Sequence, residues 1–215
     1  MTTDLPPGWE WMRVDELCEV TLGQSPPGSS YNDIGQGMPF FQGKAEFGTT
    51  YPSIRKWTTQ PKKQASAGSV LVSVRAPVGP TNLAPVDCAI GRGLAALKPR
   101  DPVAPEFVLW AMRASEGRLA EQATGSTFDA ITGARLRDHL VPVPPFAEQQ
   151  RIVATIEEHF SHLDAAEDSI STALDRIEVT RRSVLNAAFT GQLVRQDADD
   201  EPHTHTHTHT HTHTH

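Results

Sequence analysis

One uninterrupted stretch of helix-forming sequence constrains this chain more than any other feature. From Ala147 to Phe189 there are 43 residues without a proline or a glycine. At about 1.5 Å per residue, such a helix would be a rod of roughly 65 Å. Since that is longer than a domain of this size is wide, much of the helix needs another partner for its apolar side. The sequence therefore predicts a folded domain combined with a long, partnered helix.

An apolar seam runs along the predicted helix at intervals of seven residues. Recurrence over four intervals is typical of a coiled coil, and the residues three positions further on are mostly small, which permits close helix approach. We therefore expect a homodimer through this helix. The seam consists of Ile156, Leu163, Ile170, Ile177 and Val184.

A proline-rich junction, VPVPPFAEQQ, precedes the helix. Val141 and Val143 alternate with prolines, which predicts an extended strand. Pro145 has no backbone N–H to lose at a helix start. Glu148 falls in the first turn, where the helix dipole favours a negative charge. The junction is thus predicted to join a strand directly to the long helix.

Composition divides the chain into four parts. Residues 1–145 combine strand-like runs such as GSVLVSV with a helical run, PEFVLWAMRASEGRLAEQA, which predicts an α/β (mixed) domain with a small twisted sheet. The long coiled-coil helix is assigned to residues 146–193. An acidic tail at 194–202 is expected to fray. Strict alternation of His and Thr from 203 to 215 indicates an affinity tag, so these histidines are excluded from site arguments.

Several features bear on the compartment and on cofactors. No apolar run approaches the roughly 20 residues that a membrane span needs. Asp4, Pro6 and Pro7 stand where a signal peptide would have its apolar core. Cys18 and Cys88 form no paired ligand spacing and are most simply reduced thiols. We expect a cytoplasmic protein with no membrane association, no metal and no cofactor.

The net charge of −7 is unevenly distributed along the chain. Residues 1–147 contain 14 basic and 14 acidic side chains, whereas residues 148–202 contain 5 basic and 12 acidic ones. Between Phe40 and Arg100 there are nine basic residues and only two acidic ones. This local excess predicts a nucleic-acid surface, and the alternative is a set of ordinary solvated cations.

The expected DNA contacts come from this basic segment and from loops rich in glycine, serine and proline. Such loops in a compact domain are often binding elements. The basic candidates are Lys44, Arg55, Lys56, Lys62, Lys63, Arg75 and Arg92. The polar loop candidates are Tyr31, Gln42, Ser126 and Thr127.

Two short segments invite comparison with the motifs of DNA methyltransferases, and both lack the necessary chemistry. VPPF has Val143 where a polar side chain would accept hydrogen bonds from the target amine. FTGQL has Leu193 in place of a second glycine and ends a predicted helix instead of following a strand. His139, next to Asp138, is expected to be a surface or capping residue and not a base. We therefore expect a non-catalytic chain, with a small methyltransferase and a plain coiled-coil scaffold or adaptor as alternatives.

Five segments together resemble the specificity subunits of type I restriction–modification systems. The resemblance extends over nearly all of the chain before the tag, and the proline–proline–x–x–Glu–Gln junction is its most specific part. The segments are GSVLVSVRAPVG, AIGRGLAAL, GSTFDAI, PVPPFAEQQRIV and SVLNAAFTGQLV.

The resemblance implies a target-recognition domain that reads double-stranded DNA, joined to a long helix that carries the methyltransferase (modification) subunits and, through them, the restriction subunit. Such a subunit directs its partners to a bipartite target. The usual subunit has two recognition domains in one chain and two long helices that pair antiparallel, whereas this chain has one of each. The resemblance therefore implies that two copies pair antiparallel about a twofold axis. Both a natural half-length subunit and one excised half of a longer subunit are compatible with the sequence.

Overall fold

The computed structural model describes residues 5–123 and 130–195, together with Asp197 and Asp199. The chain divides into two compact units, residues 1–158 and 159–215. All of the strands in the described part belong to the first unit, which has the expected mixed α/β composition. No helix in this part of the chain is long and apolar enough to cross a membrane.

The strands of the first unit form three sheets of two, four and five strands. Their orders are β1-β11, β2-β10-β7-β8 and β3-β5-β4-β9-β6. The strands are β1 Glu10–Arg13, β2 Cys18–Leu22, β3 Tyr31–Asn32, β4 Met38–Phe41, β5 Trp57–Thr58, β6 Gln64–Ala65, β7 Val70–Ser73, β8 Thr81–Leu83, β9 Cys88–Ile90, β10 Leu94–Pro99 and β11 Leu140–Val143. The helices are α1 Val14–Leu17, α2 Pro105–Ala114, α3 Glu116–Glu121, α4 Gly133–Asp138 and α5 Phe146–Phe189.

The larger core cluster lies against the four-stranded sheet, all of whose pairs are antiparallel. Strand β7 is buried on both faces, because alternate valines meet this cluster while Leu71 joins a second cluster. Helix α2 contributes Leu109 and Met112 to the first cluster, and neither side chain is more than 1 % exposed. Continuous apolar runs are the expected sequence of strands covered on both sides.

The helical run after residue 104 forms two helices instead of the single predicted one. Ser115 separates α2 from α3, with backbone angles of φ −103° and ψ 7°. Its hydroxyl donates to the carbonyl oxygen of Met112 at 3.2 Å, and its Oγ lies 2.9 Å from Nε2 of His139. Serine competes with the helix backbone for hydrogen bonds, and here a buried tertiary partner fixes the break.

His139 is the C-cap of α4, as expected for a capping residue, but it is not on the surface. Only 2 % of the residue is exposed. Its Nδ1 lies 3.4 Å from the Gln122 amide nitrogen, while Nε2 faces Ser115. The neutral ring satisfies this arrangement by accepting at Nδ1 and donating at Nε2. The burial of His139 depends on partners that are 17 and 24 residues away along the chain.

The strand-to-helix junction forms as predicted. The Pro145 carbonyl accepts hydrogen bonds from the amides of Glu148 and Gln149 at 2.8 and 3.1 Å, which starts helix α5. Gln149 is buried and its side-chain amide donates to the Pro144 carbonyl at 3.0 Å. The Trp9 indole donates to the Glu148 carboxylate at 3.3 Å. The first turn of α5 is thereby held to the strand before it and to the segment before β1.

The described part of the second unit consists mainly of the remaining turns of α5. The four seam residues in it are exposed within one chain, with Leu163 at 61 % and Ile170 at 62 %, whereas Ile156 in the first unit is half-buried. The helix ends at Phe189, and Gly191 caps it in a left-handed conformation with φ +71°. The amides of Gln192 and Leu193 both donate to the Ala187 carbonyl, at 2.8 and 3.0 Å. This cap turns the chain back over the last helical turn.

The buried His139 should make the stability of the fold dependent on pH. Burial, with a smaller contribution from Arg118, lowers the pKa of His139 from 6.5 to about 4. Between these values the unfolded chain binds a proton that the folded chain does not, so the free energy of unfolding should decrease as the pH falls through this window. Urea unfolding at neutral pH and at about pH 4.5 measures the decrease.

The matched variant is His139→Gln, which keeps a polar side chain but does not titrate. We expect the wild type to lose more stability than this variant over the same change in pH, since the titrations of the carboxylates are common to both proteins. Equal losses in the two proteins would contradict the assignment of the effect to His139.

Candidate nucleic-acid interface

A parallel strand pair brings two loops of the predicted basic segment together. Strand β4 pairs with β9 in parallel, with Phe40 opposite Ala89 and Phe41 opposite Ile90. The Gly91 amide continues the ladder by donating to the Phe41 carbonyl at 2.8 Å. Since parallel strands end on the same side of a sheet, the residues that follow β4 and β9 lie together.

The antiparallel neighbours of these two strands begin at the same place. Beyond the β4–β5 pairs, the Phe40 amide donates to the Lys56 carbonyl at 2.8 Å. Beyond the β6–β9 pairs, the Ile90 amide donates to the Lys63 carbonyl at 2.9 Å. Arg55 precedes Lys56 along the chain, and Lys62 precedes Lys63. These two basic pairs therefore flank the ends of β4 and β9.

The turn between β9 and β10 carries Arg92 into the same region. The Arg92 amide donates to the Ser25 hydroxyl oxygen at 3.3 Å, and the Gln24 amide donates to the Ile90 carbonyl at 3.0 Å. A Cβ on Gly91 would lie 3.0 Å from the Cα atom of Gln42. The backbones of three segments that are distant in sequence are thus packed around Arg92.

Arg75 reaches this region from the four-stranded sheet. The Val74 amide donates to the Gly93 carbonyl at 2.9 Å, which ties the end of β7 to the turn that carries Arg92. Arg75 and Arg92 line one depression of about 240 Å³. Ala130 also lines it and forms an isolated bridge with Arg75.

We call this whole surface the basic edge, and every cation on it is exposed. It consists of Gln42, Lys44, Arg55, Lys56, Lys62, Lys63, Arg75 and Arg92. The structure thus brings together all seven basic candidates and one of the polar ones. Ser126 and Thr127 lie outside the described residues.

Two acidic residues share the basic edge and one lies away from it. Asp33 follows β3 and by register continues opposite Lys56. Glu46 accepts a hydrogen bond from the Gly43 amide at 3.3 Å, so its carboxylate is engaged by the backbone. Asp87 precedes β9, at the opposite end of the sheet, and accepts from the Ala67 amide at 2.8 Å. The basic edge therefore keeps a clear excess of positive charge.

Tyr31 has a packing role in this structure. Its ring stacks on Phe40 with 4.9 Å between centroids, and its hydroxyl donates to the Pro26 carbonyl at 2.9 Å. In the same segment Ser30 is buried, with its hydroxyl 2.8 Å from that of Thr58. The part of this Gly/Ser/Pro-rich segment around Ser30 and Tyr31 is therefore anchored to the five-stranded sheet.

Sequence reasoning missed several residues that position the basic edge. Gln24 and Ser25 bond to the turn that carries Arg92 and so hold this turn in place. The Gly/Pro/Ser-rich composition around them suggests a binding element and does not indicate this supporting role. Asn82 holds Gly48 by hydrogen bonds of 2.9 Å in both directions. Arg113 donates to the carbonyls of Thr49 and Thr81. No local pattern marks Asn82 or Arg113, because the bonds of Asn82 to Gly48 and of Arg113 to Thr81 span 34 and 32 residues of the chain.

Comparison with known proteins decides the family. The family model described as the type I restriction modification DNA specificity domain matches residues 6–176. The chain belongs to this family. The matched residues include the three sheets, the proline-rich junction and most of helix α5.

Members of the specificity family share both the sequence and the fold of this chain. A putative type I restriction enzyme specificity subunit, MjaX of Methanocaldococcus jannaschii, is 36 % identical over 196 residues, which are 88 % of this chain and 44 % of that protein. The HsdS subunit from Thermoanaerobacter tengcongensis is 43 % identical with a TM-score of 0.73, over 89 % of this chain and 47 % of that one. A chain solved in connection with complex assembly and conformational transition of the type I system is 44 % identical, with a TM-score of 0.81 and coverage of 89 % and 48 %.

The chain thus spans about half the length of the specificity subunits that it matches. One copy carries one basic edge and one long helix.

The close packing beneath the basic edge can be tested with Gly23. A Cβ on Gly23 would lie 2.1 Å from the Gly91 carbonyl oxygen and 2.7 Å from that of Leu94. Gly23→Ala should therefore push the two turns apart and lower the free energy of unfolding by about 1–3 kcal/mol. Urea unfolding followed by circular dichroism measures the change.

Gly28→Ala is the matched control in the same segment, because a Cβ there meets no heavy atom within 4 Å. It should leave stability nearly unchanged. If the two variants were equally stable, the packing between these turns would not be as close as the structure has it.

Proposed function

We propose that this chain is a DNA-reading half of a type I restriction–modification specificity subunit, and that the basic edge contacts double-stranded DNA. The observation that supports this proposal is the convergence of exposed cations from separate chain segments on one edge, around the ends of β4 and β9. Exposed basic clusters supply the sequence-independent part of DNA affinity by displacing counterions from phosphates.

Different residues of the basic edge suit different parts of this recognition. The paired lysines Lys62 and Lys63 are flexible cations suited to phosphates. Arg75 and Arg92 are exposed side chains on closely packed backbone segments. An arginine guanidinium can donate two hydrogen bonds to guanine in the major groove. Gln42 lies beside Arg92, and a glutamine amide can bond adenine in a similar way.

The proposed role is non-catalytic. The Ser115–His139 pair looks like a nucleophile and a base, but neither residue is more than 2 % exposed, so no substrate can reach it. Burial raises the pKa of both Cys18 and Cys88 to about 12, which makes their thiols poor nucleophiles. Val143 still lacks the polar group that methyl transfer to a base would need. We therefore assign the chemistry to partner subunits.

The exposed acidic face of α5 is the proposed docking surface for methyltransferase subunits, through which the restriction subunit would join. Close acidic side chains repel phosphates, so this face suits protein better than DNA. The acidic residues are Glu157, Glu158, Asp164, Glu167, Asp168 and Asp175, all of them exposed.

We further propose that two copies pair through the seam of α5. A single chain leaves Leu163, Ile170, Ile177 and Val184 between 46 and 62 % exposed, which is unfavourable for apolar side chains in water. In specificity subunits about twice as long, a second half of the same chain is available to cover such a seam. Here a second copy of the chain would cover it. An isologous pair has two identical basic edges, so its bipartite target would be an inverted repeat.

The first test separates DNA reading from a role as a coiled-coil adaptor. Replacing Lys62 and Lys63 with Ala should weaken binding to a mixed-sequence duplex. The slope of log affinity against log salt concentration should become less steep by about 0.9 for each phosphate that the variant no longer neutralises. Fluorescence anisotropy titrations at several salt concentrations give both quantities.

The control for this test removes the same charge at another place in the first unit. Lys98 lies opposite Glu19 in the β2–β10 register, near the end of β10, and Arg100 follows that end. The turn that carries Arg92 is at the other end of β10. The double variant Lys98→Ala, Arg100→Ala should keep the wild-type slope. An unchanged slope in the Lys62 and Lys63 variant would remove those residues from the interface, and an absence of salt-dependent binding in the wild type would favour the adaptor.

The second test concerns the dimer. Burying an apolar side chain of this size contributes roughly 1.5–3 kcal/mol, so Leu163→Asp combined with Ile170→Asp should convert the dimer into a monomer. Light scattering after size exclusion gives the mass. Val179→Asp is the matched control, because Val179 is 64 % exposed but lies two residues after the seam residue Ile177, on a different face of the helix. A dimer that survived the double substitution would place the interface elsewhere.

A further inference from the structure

An apolar groove in the first unit has no function in the proposed DNA recognition. It has a volume of about 540 Å³ and lies between strand β1, helix α2 and the first turns of α5. Trp9, Trp11 and Trp110 form much of its wall, and Ile152 and Ile156 contribute from α5. Trp11 is 41 % exposed. Tryptophan concentrated at an open groove is typical of a site for another protein segment.

The groove continues the seam. Ile156 is the first seam residue, and Ile152 lies one turn before it on the same helical face. Both line the groove, so whatever packs on the seam at this end must also meet the tryptophans. The proposed homodimer therefore determines which segment of the second copy arrives there.

The spacing of the seam identifies that segment. A twofold axis through Ile170 places Ile156 of one copy opposite Val184 of the other, and Leu163 opposite Ile177. The same register places Ile152 opposite Ala188. The chain that follows turns back at Gly191 and stays at the level of the last helical turn, so it arrives opposite the turn of α5 that carries Ile152.

The capped end of α5 has an apolar side chain suited to the groove. The amide of Leu193 donates to the Ala187 carbonyl at 3.0 Å, so the cap holds Leu193 against the last turn. Ala187 lies on the seam side, three residues after Val184, and it is half-buried, whereas the described residues around it are exposed. Leu193 itself remains 51 % exposed and Val194 74 %.

Charge also favours this occupant. The guanidinium of Arg118 lies over the Trp11 ring at 5.4 Å from its centroid and lines the groove. Asp197 and Asp199 follow Leu193 closely and are exposed. An acidic segment next to an apolar anchor complements a cation next to an apolar pocket.

The geometry points to a specific contact, which rests on the proposed homodimer: the tryptophan groove of one copy binds the capped C-terminal end of α5 from a second copy, with Leu193 as its anchor. Each dimer has two such contacts, one at each end of the paired helices. They fix the register of the pair, because a shift by one heptad would withdraw Leu193 from the groove.

Cross-linking between separately labelled copies tests this contact. One variant carries Ala114→Cys in the groove and the other carries Leu193→Cys. The two are mixed at low concentration, concentrated, and treated with a short bismaleimide. Cys18 and Cys88 are buried, with their pKa raised to about 12, so they should not react. We expect a covalent dimer on a denaturing gel, and a matched mixture of Ala114→Cys with Val179→Cys should give little.

The possible outcomes separate this inference from the proposal on which it rests. A protein that is dimeric by light scattering but gives no more cross-linking than the Val179 control would overturn the groove assignment and leave the homodimer standing. A protein that is monomeric at all concentrations would overturn both.

A second measurement uses the tryptophans as probes. Leu193→Asp should weaken dimerisation by about tenfold or more, as expected for the removal of a buried apolar side chain. It should also shift tryptophan emission to longer wavelength, because three of the four tryptophans line the groove. Val179→Asp should change neither quantity. Unchanged emission in a Leu193→Asp dimer would contradict the proposed contact.

Discussion

The parallel pairing of β4 with β9 is the interaction on which the candidate interface depends. It joins segments that are 49 residues apart, with Phe40 opposite Ala89. Because both strands end at the same side, the loops after them and the loops before their antiparallel neighbours must all lie there. Exposed cations from different parts of the chain are assembled into one surface by this single register. Phe40 and Phe41 are both buried, so the end of β4 from which these loops start is held by the core on both of its faces.

The second constraint is that one chain leaves an apolar seam uncovered. The first turns of α5 pack within the first unit, where Gln149 is buried and Val153 contacts the core. From Leu163 onward the seam residues are exposed, and the helix has few stabilising interactions beyond its own backbone. Helices in water owe most of their stability to the packing of an apolar face, so a partner for this face is a physical requirement of the sequence.

The sequence was most informative where the determinants are local. The seven-residue spacing, the absence of Pro and Gly, and the Pro145 start predicted α5 within a few residues, and Gly191 explains its end. The basic candidates could be chosen by charge alone, but their convergence could not, because it depends on strand pairing across dozens of residues. His139 caps α4 as expected, but its burial could not be predicted for the same reason. It depends on Ser115 and Gln122, which are 24 and 17 residues away along the chain.

The overall charge of the chain is a poor guide to what its surfaces bind. Screening limits the influence of a charge to about 8 Å at physiological ionic strength, so a phosphate at the basic edge responds to the cations around it and not to the average of −7. The acidic residues are concentrated after residue 147, in sequence that is almost entirely helix and tail. Because the net negative charge comes from residues after 147, an acidic protein can carry one surface suited to DNA and another suited to protein. A pI of about 5.8 is therefore compatible with the proposed function, because it averages over surfaces that act independently.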